Sequence, residues 1–389
     1  MYFEILKKAK TGRARRGVLH TAHGDVQTPI FLPIGTKGTV KSVTSEELRF
    51  WGADMILANT YHLWQRPGDA LIYKAGGLHK FMNWKNAIFT DSGGYQVFSL
   101  AKTRKVTDAG VLFQFDLDGR QSALSPEISV EIQANLGSDI ALILDDFPGY
   151  PFERERAAAA IERTRAWAER ATAEYLRIMK SGDPVNPGQK LWGIVQGASF
   201  ADLRQKSAEQ MRGMDFPGYA IGGVAVGEPS AEMLKAVEYC VPHLEEEKPK
   251  HLLGVGTPHD IVQAVARGCD TFDCVIPTRE ARHGRLYVAR KDGNGKDAYA
   301  AIDIRKREFA EDFAPVDSTC DCYGCLNHTR AYLRHLFSAE EPLAIRLATM
   351  HNLKFYLNLM KKIRTAIEYD FFGDLHENFK NCAAGGDKV

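Results

Sequence analysis

Short apolar runs recur along the chain, and each of them ends in polar residues or in glycine. The runs are continuous rather than alternating and are rich in β-branched residues, as expected of parallel strands that are buried on both faces. They occupy residues 29–35, 55–60, 87–94, 140–146, 190–197, 218–227, 251–256 and 271–278. The pattern therefore predicts eight parallel strands.

Segments with the start signals of helices lie between these runs. Residues 44–47 read Thr-Ser-Glu-Glu, a capping box, and Ser125-Pro126 and Thr257-Pro258 each place a capping hydroxyl before a proline. The longest helix candidate covers residues 153–179. Strands that alternate with helices predict an α/β fold, a (β/α)8 TIM barrel over residues 1–302. An open doubly wound sheet is the alternative, but no glycine-rich dinucleotide motif follows the first strand.

The ends of the predicted strands carry the candidate functional groups. In a barrel of this kind, functional side chains lie at the carboxyl ends of the strands. The stretch DSGGYQ, which begins at Asp91, would by itself suit a tight turn, since Asp, Ser and Gly are turn residues. Acidic groups at several strand ends favour a functional site instead. The strand-end candidates are Asp91, Asp145, Asp146, Gln196, Gly222, Gly223 and Asp273.

A cysteine-rich motif lies beyond the barrel. Cys320, Cys322 and Cys325 have the spacing C-x-C-x2-C, and His351 follows on a predicted helix. Three thiolates and one imidazole make a closed tetrahedral ligand set for a structural Zn²⁺ ion, one per chain. The alternative is three packed cysteines and an unrelated histidine. We therefore expect a zinc-binding subdomain with closing C-terminal helices, packed on the barrel, over residues 303–389.

Composition narrows the class of protein. The chain has 389 residues, 44% hydrophobic and 25% charged, which is typical of a globular protein. It has no long apolar run and no signal-peptide pattern at its start, so we expect a cytoplasmic protein with no membrane partner. The net charge is +1, so a nucleic-acid partner would need a local basic patch. The basic residues within 277–291 are a candidate for such a patch, although a solvated loop can have the same composition.

Several motifs, taken together, resemble one family. They are TDSGGYQVFSL (90–100), GIVQG (193–197), GGVAVGE (222–228), FDCVIPTR (272–279) and the cysteine motif with its distant histidine. In this order they resemble the bacterial tRNA-guanine transglycosylases (queuine tRNA-ribosyltransferases), and the similarity spans nearly the whole chain. The family fold is a (β/α)8 barrel with a zinc-bearing subdomain, which is the fold that the strand pattern and the cysteine motif predict.

The resemblance implies a base exchange on tRNA. Guanine at the wobble position (34) of tRNAs with a GUN anticodon (Asp, Asn, His, Tyr) would be replaced by a 7-deazaguanine without cleavage of the strand. Asp273 would be the nucleophile at ribose C1′, and Asp91 the general acid/base. Retention at the sugar carbon requires two inversions, so one carboxylate holds the ribose while a second moves the proton of each base.

The resemblance also assigns the base-binding and tRNA-binding residues. Asp145 and Gln196 would read the polar edge of the base, the backbone N–H of Gly223 would bind its carbonyl, and Tyr95 would stack on the ring. Gly93 and Gly94 would make room for the purine. The base-binding set is Ser92, Tyr95, Asp145, Gln196, Gly223, Val224 and Leu253, and the tRNA-binding set is Arg279 and Arg282.

Departures from the family pattern leave the substrate open. Phe147 stands where the family usually has a cysteine that lines the pocket, and Val224 and Leu253 replace the usual Leu and Met. The aminomethyl base preQ1 is the first candidate, with queuine and preQ0 as alternatives.

The family also suggests a homodimer. Other readings are a barrel hydrolase with a catalytic metal, which would need an open metal site, and a non-catalytic binding subunit, which could lose both catalytic carboxylates.

Overall fold

A computed structural model describes residues 1–100, 103–115, 118–181, 183–291, 295 and 297–380. Within these residues the strands are β1 Phe3–Lys8, β2 Arg15–Thr21, β3 Gly24–Thr28, β4 Ile30–Leu32, β5 Met55–Ala58, β6 Ala87–Thr90, β7 Arg104–Thr107, β8 Gly110–Gln114, β9 Gln121–Leu124, β10 Ile140–Leu142, β11 Lys190–Val195, β12 Tyr219–Ile221, β13 Lys250–Leu252, β14 Thr271–Asp273, β15 Arg285–Lys291 and β16 Asp297–Asp303.

The α-helices in the same residues are α1 Ser45–Phe50, α2 Thr60–Gln65, α3 Asp69–Lys74, α4 Leu78–Phe81, α5 Gly94–Leu100, α6 Pro126–Leu136, α7 Arg154–Lys180, α8 Ala201–Arg212, α9 Ser230–Cys240, α10 Pro258–Ala266, α11 Ile276–Arg282, α12 Tyr323–Asn327, α13 Arg330–Ser338, α14 Pro342–Glu368 and α15 Phe372–Lys380. Short 3₁₀ turns occupy Val241–His243 and Arg307–Phe309. None of these helices is long and apolar enough to cross a membrane.

Eight parallel strands form one closed sheet. Their order is β4-β14-β13-β12-β11-β10-β6-β5, so each strand lies beside its neighbour in the predicted series. The two end strands also meet, because the N–H of Leu57 donates to the Pro33 carbonyl (3.0 Å) and the N–H of Gly35 donates to the Leu57 carbonyl (2.6 Å). The sheet thus closes into a barrel with helices around it, and the predicted (β/α)8 fold is confirmed.

The predicted helix starts are confirmed as well. Thr44 and Glu47 form the reciprocal capping box of α1. Ser125 caps α6 and Thr257 caps α10, each ahead of a proline in the first turn. The long helix predicted over 153–179 is α7. These hydroxyls satisfy backbone N–H groups that have no partner inside the helix, which fixes where each helix begins.

A buried ion pair and two histidine–aspartate contacts hold the amino-terminal end of the barrel. The guanidinium of Arg15, on β2, donates to both oxygens of Asp270, just before β14, at 2.7 and 2.8 Å. His23 and His79 lie against Asp139, just before β10, at 2.9 and 3.3 Å. The antiparallel sheet β1–β3 therefore covers this end, and the opposite end stays open.

The C-terminal helices pack on the barrel through α14. The side chain of Asn352 donates to the carbonyls of Pro277 and Arg285, at 3.0 Å each. One turn further along, the Tyr356 hydroxyl donates to the Gly256 carbonyl at 2.5 Å. Near the end of the helix Arg364 donates to the Pro29 carbonyl at 2.7 Å. This helix therefore ties the hairpin β15–β16 to the barrel strands.

Candidate active site

A cavity of about 730 Å³ opens at the carboxyl ends of the barrel strands. Its walls come from the segments that follow β4, β5, β6, β10, β12, β13 and β14, and from α5 and α11. The sequence-predicted residues that line it are Asp91, Ser92, Tyr95, Asp145, Gly223, Val224, Leu253, Asp273 and Arg279. Residues far apart in the chain are thus brought together, since the parallel strands end at one rim.

Asp91 follows β6 and accepts an unusual number of hydrogen bonds. Its Oδ2 accepts from the side-chain amides of Asn59 (2.5 Å) and Gln96 (2.9 Å). Its Oδ1 accepts from the backbone N–H groups of Thr60 (2.9 Å) and Gly93 (3.2 Å). Burial and, to a smaller extent, the charge of Asp273 together raise the pKa of Asp91 to about 6, against the hydrogen bonds from Asn59, Thr60 and Gly93, which lower it. A carboxyl group with this pKa can both give and take a proton near neutral pH.

Asp145 is the second carboxyl group with a raised pKa. Its Oδ2 accepts from the amide of Gln196 at 2.5 Å, and its Oδ1 lies 3.4 Å from the hydroxyl of Ser92. Burial and, to a smaller extent, the charge of Asp146 together raise the pKa of Asp145 to about 6, against the hydrogen bond from Gln196, which lowers it. Asp146 itself points away and pairs with Arg156 and Arg163, partners that fix it outside the cavity.

Gln196 lies behind the cavity wall and not on its surface. The side chain is fully buried, and its Oε1 has no hydrogen-bond partner among the described residues. It rests on Gly222 and Gly223, where a Cβ atom would lie 2.8 Å from its Nε2 and 2.2 Å from its Oε1, respectively. Glycine is required at both positions for this contact, and at Gly223 also for a φ of +66°.

Asp273 is the last residue of β14 and is 7% exposed. Its Oδ1 accepts from the backbone N–H of Gly254 at 3.0 Å and contacts the Nε2 of His251 at 3.0 Å. The neighbouring Cys274 is buried, and burial raises the pKa of its thiol to about 12. A thiol in that state is a poor nucleophile.

The glycines of DSGGYQ make room for the protein's own atoms. Gly93 has a φ of +82°, and a Cβ there would lie 3.3 Å from the Tyr61 backbone nitrogen. A Cβ on Gly94 would lie 3.0 Å from a methyl group of Leu144 and 3.4 Å from the Asp145 carbonyl. The expectation that both glycines leave space for a purine is therefore wrong, since adjoining segments of the barrel fill that space.

Aromatic residues line one side of the cavity. Tyr95 is 48% exposed, and its ring stands edge-on to Phe147, 5.6 Å between centroids. Phe147 packs against Phe98 in the same way, at 4.5 Å. Val224 and Leu253 complete the apolar lining. Tyr95 is thus free to receive a flat ligand, while Phe147 is held in place by its neighbours.

The two predicted tRNA-binding arginines lie on α11, directly after Asp273. Arg279 lines the cavity. Arg282 lies one turn further on, outside the lining, and donates to the Thr278 carbonyl at 3.0 Å. Burial lowers the pKa of Arg282, as does the charge of Arg279. Arg279 therefore brings a positive charge to the cavity wall, and Arg282 lies close enough to feel that charge.

The cysteine motif and the distant histidine converge on one point. Cys320, Cys322, Cys325 and His351 are all buried, with their ligand atoms within 4.8 Å of one another. The Nδ1 of His351 lies 3.8 and 3.3 Å from the sulfur atoms of Cys322 and Cys325. Tetrahedral zinc holds nitrogen and sulfur about 3.5 Å apart, from Zn–N of about 2.0 Å and Zn–S of about 2.3 Å. The Nε2 of His351 donates to the Tyr287 carbonyl at 2.7 Å, which directs Nδ1 at the thiols. The four side chains could hold a metal ion.

The groups that surround the carboxylates of Asp91 and Asp273 were not predicted from the sequence. Asn59 and Gln96, which donate to Asp91, had signals, since one ends the second predicted strand and the other closes DSGGYQ. His251 had no such signal in the sequence, because a single histidine in an apolar strand is usually interpreted as a packed side chain. Only the pairing of β13 with β14 brings it to Asp273.

Comparison with known proteins agrees with this geometry. Residues 9–384 match the family model described as queuine tRNA-ribosyltransferase. The queuine tRNA-ribosyltransferase of Caldanaerobacter subterraneus is 48% identical over 377 residues, covering 97% of this chain and 96% of that protein. The enzymes of the same name from Pelotomaculum thermopropionicum and Bacillus subtilis are 50% and 47% identical, each with 94% of its own length covered, and they cover 94% and 97% of this chain. The chain therefore belongs to the queuine tRNA-ribosyltransferase family.

Proposed function

We propose that this pentosyltransferase exchanges guanine at the wobble position (34) of tRNA for a 7-deazaguanine through a covalent aspartyl-ribose intermediate. One observation carries the proposal: Asp91 and Asp273 line the same cavity, and the two differ in their partners. Asp91 has a pKa of about 6, suited to proton transfer, whereas Oδ1 of Asp273 accepts two hydrogen bonds and Oδ2 accepts none from the described residues, so Oδ2 would be the attacking atom. The tRNAs would be those with a GUN anticodon, for Asp, Asn, His and Tyr.

The reaction would proceed in two displacements. In the first, an oxygen of Asp273 forms a bond to ribose C1′ while the bond from C1′ to N9 of guanine breaks. The electron pair leaves with guanine, which takes a proton from the carboxyl group of Asp91. In the second, the incoming base gives its N9 proton to Asp91 and attacks C1′, and the Asp273 carboxylate departs with the electron pair. Two inversions retain the configuration at C1′.

Base recognition would use the rest of the lining. Asp145 would accept from the donor edge of the purine, and Tyr95 would stack on its ring. Gln196 donates to Asp145 through its amide nitrogen. To contact a base directly, the side chain would have to turn its unpaired Oε1 towards the cavity or give up the hydrogen bond to Asp145. Arg279 and Arg282 would contact anticodon-loop phosphates or bases beside the everted nucleotide.

The substrate base depends on Phe147. Its ring is packed between Tyr95 and Phe98, so it cannot swing aside without moving a wall of the cavity. We propose preQ1 as the incoming base, with preQ0 and queuine as the alternatives.

The cluster of Cys320, Cys322, Cys325 and His351, called here the Cys320–His351 cluster, would hold one structural Zn²⁺ ion. The division at residue 302, the homodimer and the cytoplasmic location stay predictions, and residues 381–389 lie outside the described part of the chain.

The experiment that tests the function is a label chase. An unmodified tRNA with G34 is first incubated with the protein and labelled guanine, then chased with preQ1, preQ0 or queuine in parallel. We expect labelled tRNA to form and preQ1 to release the label, while a tRNA with A34 takes up none. Wild-type protein that incorporates no guanine into the G34 tRNA would refute the proposal and favour a binding subunit.

A further inference from the structure

The register of two barrel strands places a histidine beside the carboxylate of Asp273. His251 on β13 pairs with Thr271 on β14, so both side chains point to the same side of the sheet. Asp273 lies two residues after Thr271 and therefore shares that side. His251 and Thr271 are both fully buried in the barrel. The strand pairing thus forms a polar group of three residues directly beneath the cavity.

Each polar atom of the imidazole has one partner. The Nε2 of His251 lies 3.0 Å from Oδ1 of Asp273, and the Nδ1 lies 2.8 Å from the hydroxyl oxygen of Thr271. The ring also packs against Phe89, with centroids 4.6 Å apart. An ionised carboxylate can only accept, so Nε2 carries the hydrogen, and the Thr271 hydroxyl can donate to Nδ1 of a neutral ring. Thr271 therefore favours the tautomer that donates to Asp273.

The two oxygens of Asp273 are in different states. Oδ1 accepts from His251 and from the backbone N–H of Gly254, each at 3.0 Å. Within the part of the chain that the structure describes, no hydrogen bond to Oδ2 is found, although the residue lines the cavity. Two donors on one oxygen fix the plane of the carboxylate and leave the other oxygen for chemistry.

We propose that His251 is a positioning residue for Asp273, acting with Gly254 to hold Oδ1 so that Oδ2 faces ribose C1′. The inference rests on the proposed function and adds a residue to it. His251 does not line the cavity, so it acts through the carboxylate and not on the substrate. The same donors stabilise Oδ1 when the bond from Oδ2 to C1′ breaks and the electron pair returns to the carboxylate. If the Asp273 carboxylate were misaligned, kcat would fall while the affinity of the protein for the base stayed the same.

The test compares two amides that differ by one methylene. In His251→Gln the amide nitrogen can reach the place of Nε2, whereas in His251→Asn it reaches only the place of Nδ1. We expect His251→Asn to lower kcat about 100-fold, the usual effect of removing one preorganised donor, and His251→Gln to stay within about 10-fold of wild type. KM for guanine should stay within about 2-fold in both, because neither change touches the base site.

A second variant keeps the barrel interior nearly unchanged in shape. Thr271→Val removes the hydroxyl that favours the Nε2–H tautomer, and we expect it to lower kcat by about 10-fold at constant KM. Melting temperatures and bound metal are measured for all three variants, so that a folding defect is recognised and rates refer to folded protein. Thr271→Val also carries the test if neither change at His251 gives folded protein.

The outcomes separate this inference from the proposed function. If wild type exchanges guanine and the Gln variant is far more active than the Asn variant, His251 positions Asp273. Equal kcat in the Gln and Asn variants, whether normal or reduced, would overturn the inference. If only Thr271→Val gives folded protein, a wild-type kcat in that variant would overturn it. An inactive wild type would overturn the proposed function itself.

Discussion

Asp145 shows how the active site is set up residue by residue. Burial beside Asp146 raises its pKa to about 6, yet Gln196 and Ser92 hold it in place. The folded state therefore keeps a proton between about pH 4 and pH 6 that the unfolded chain has released. Stability contributed by this proton is present at low pH and is lost as the pH rises through about 6. Asp91, with the same raised pKa, behaves in the same direction.

The variant Asp145→Asn should expose this balance. An amide keeps an oxygen for Gln196 but carries no buried charge, so at pH 7.5 we expect the free energy of unfolding to rise by about 1 to 3 kcal/mol. At pH 5 the gain should be smaller, since the wild-type carboxyl group is then largely protonated. Urea unfolding at both pH values measures this. A gain that is larger at pH 5 than at pH 7.5 would contradict the assignment.

The same variant should weaken base binding. An amide offers one acceptor where the carboxylate offers two with a charge, and we expect KM for guanine to rise about 10-fold. The control is Asp202→Asn, which changes an exposed aspartate of the Arg154 ion pair. A KM that is unchanged by Asp145→Asn would remove Asp145 from base recognition.

At the scale of elements, the Cys320–His351 cluster lies where two helices of the C-terminal segment meet. Cys320, Cys322 and Cys325 surround the start of α12, and His351 reaches them from the middle of α14. A metal ion at this point would join the two helices, while the Tyr287 carbonyl fixes the imidazole from the hairpin. The cluster thus links three elements that are distant in sequence.

Cys322→Ser should therefore cost both metal and folded protein. A structural zinc ion contributes about 10 kcal/mol or more to folding, so the loss of one thiolate should lower the yield of soluble protein strongly. Metal content by mass spectrometry should fall from one zinc per chain towards zero. The control Cys269→Ala removes a buried cysteine outside the cluster and should keep its zinc. Undiminished zinc in Cys322→Ser would exclude this ligand assignment.

The elements that could be predicted are those with a strong local pattern. All eight barrel strands occur in the predicted places because apolar runs buried on both faces are continuous, but some are shorter, as with Tyr219–Ile221 inside the predicted 218–227. The sheets β1–β3 and β7–β9 were missed, since they are partly exposed and their apolar positions are scattered. His251 required the strand register, which no local pattern encodes.

At the scale of the molecule, the two ends of the barrel have separate tasks. The carboxyl end carries the cavity, whereas the amino end is held by buried pairs such as Arg15–Asp270, whose side chains are 4% and 0% exposed. Breaking a buried pair leaves an uncompensated charge, which is far more costly than loss of an exposed pair. Changes at the amino end should therefore affect stability and leave catalysis alone.

Arg15→Met tests this separation. We expect the free energy of unfolding to fall by about 3 to 5 kcal/mol, because Asp270 loses its guanidinium partner inside the protein. Arg154→Met, which breaks the exposed Arg154–Asp202 pair, should lower the free energy of unfolding far less, because solvent screens that pair. Urea unfolding gives both values, and kcat per folded molecule should equal that of wild type in each. A lowered kcat in folded Arg15→Met protein would show that the two ends are coupled.

Mapping the covalent adduct shows most directly whether Asp273 carries the ribose. Protein and tRNA are mixed, quenched in acid and digested with nuclease and protease, and the modified peptide is sequenced by mass spectrometry. We expect a ribose-linked fragment on Asp273 and no adduct in Asp273→Ala protein that retains its fold and its metal. An adduct on Asp91 or Asp145, which line the same cavity, or normal exchange by Asp273→Ala, would contradict it.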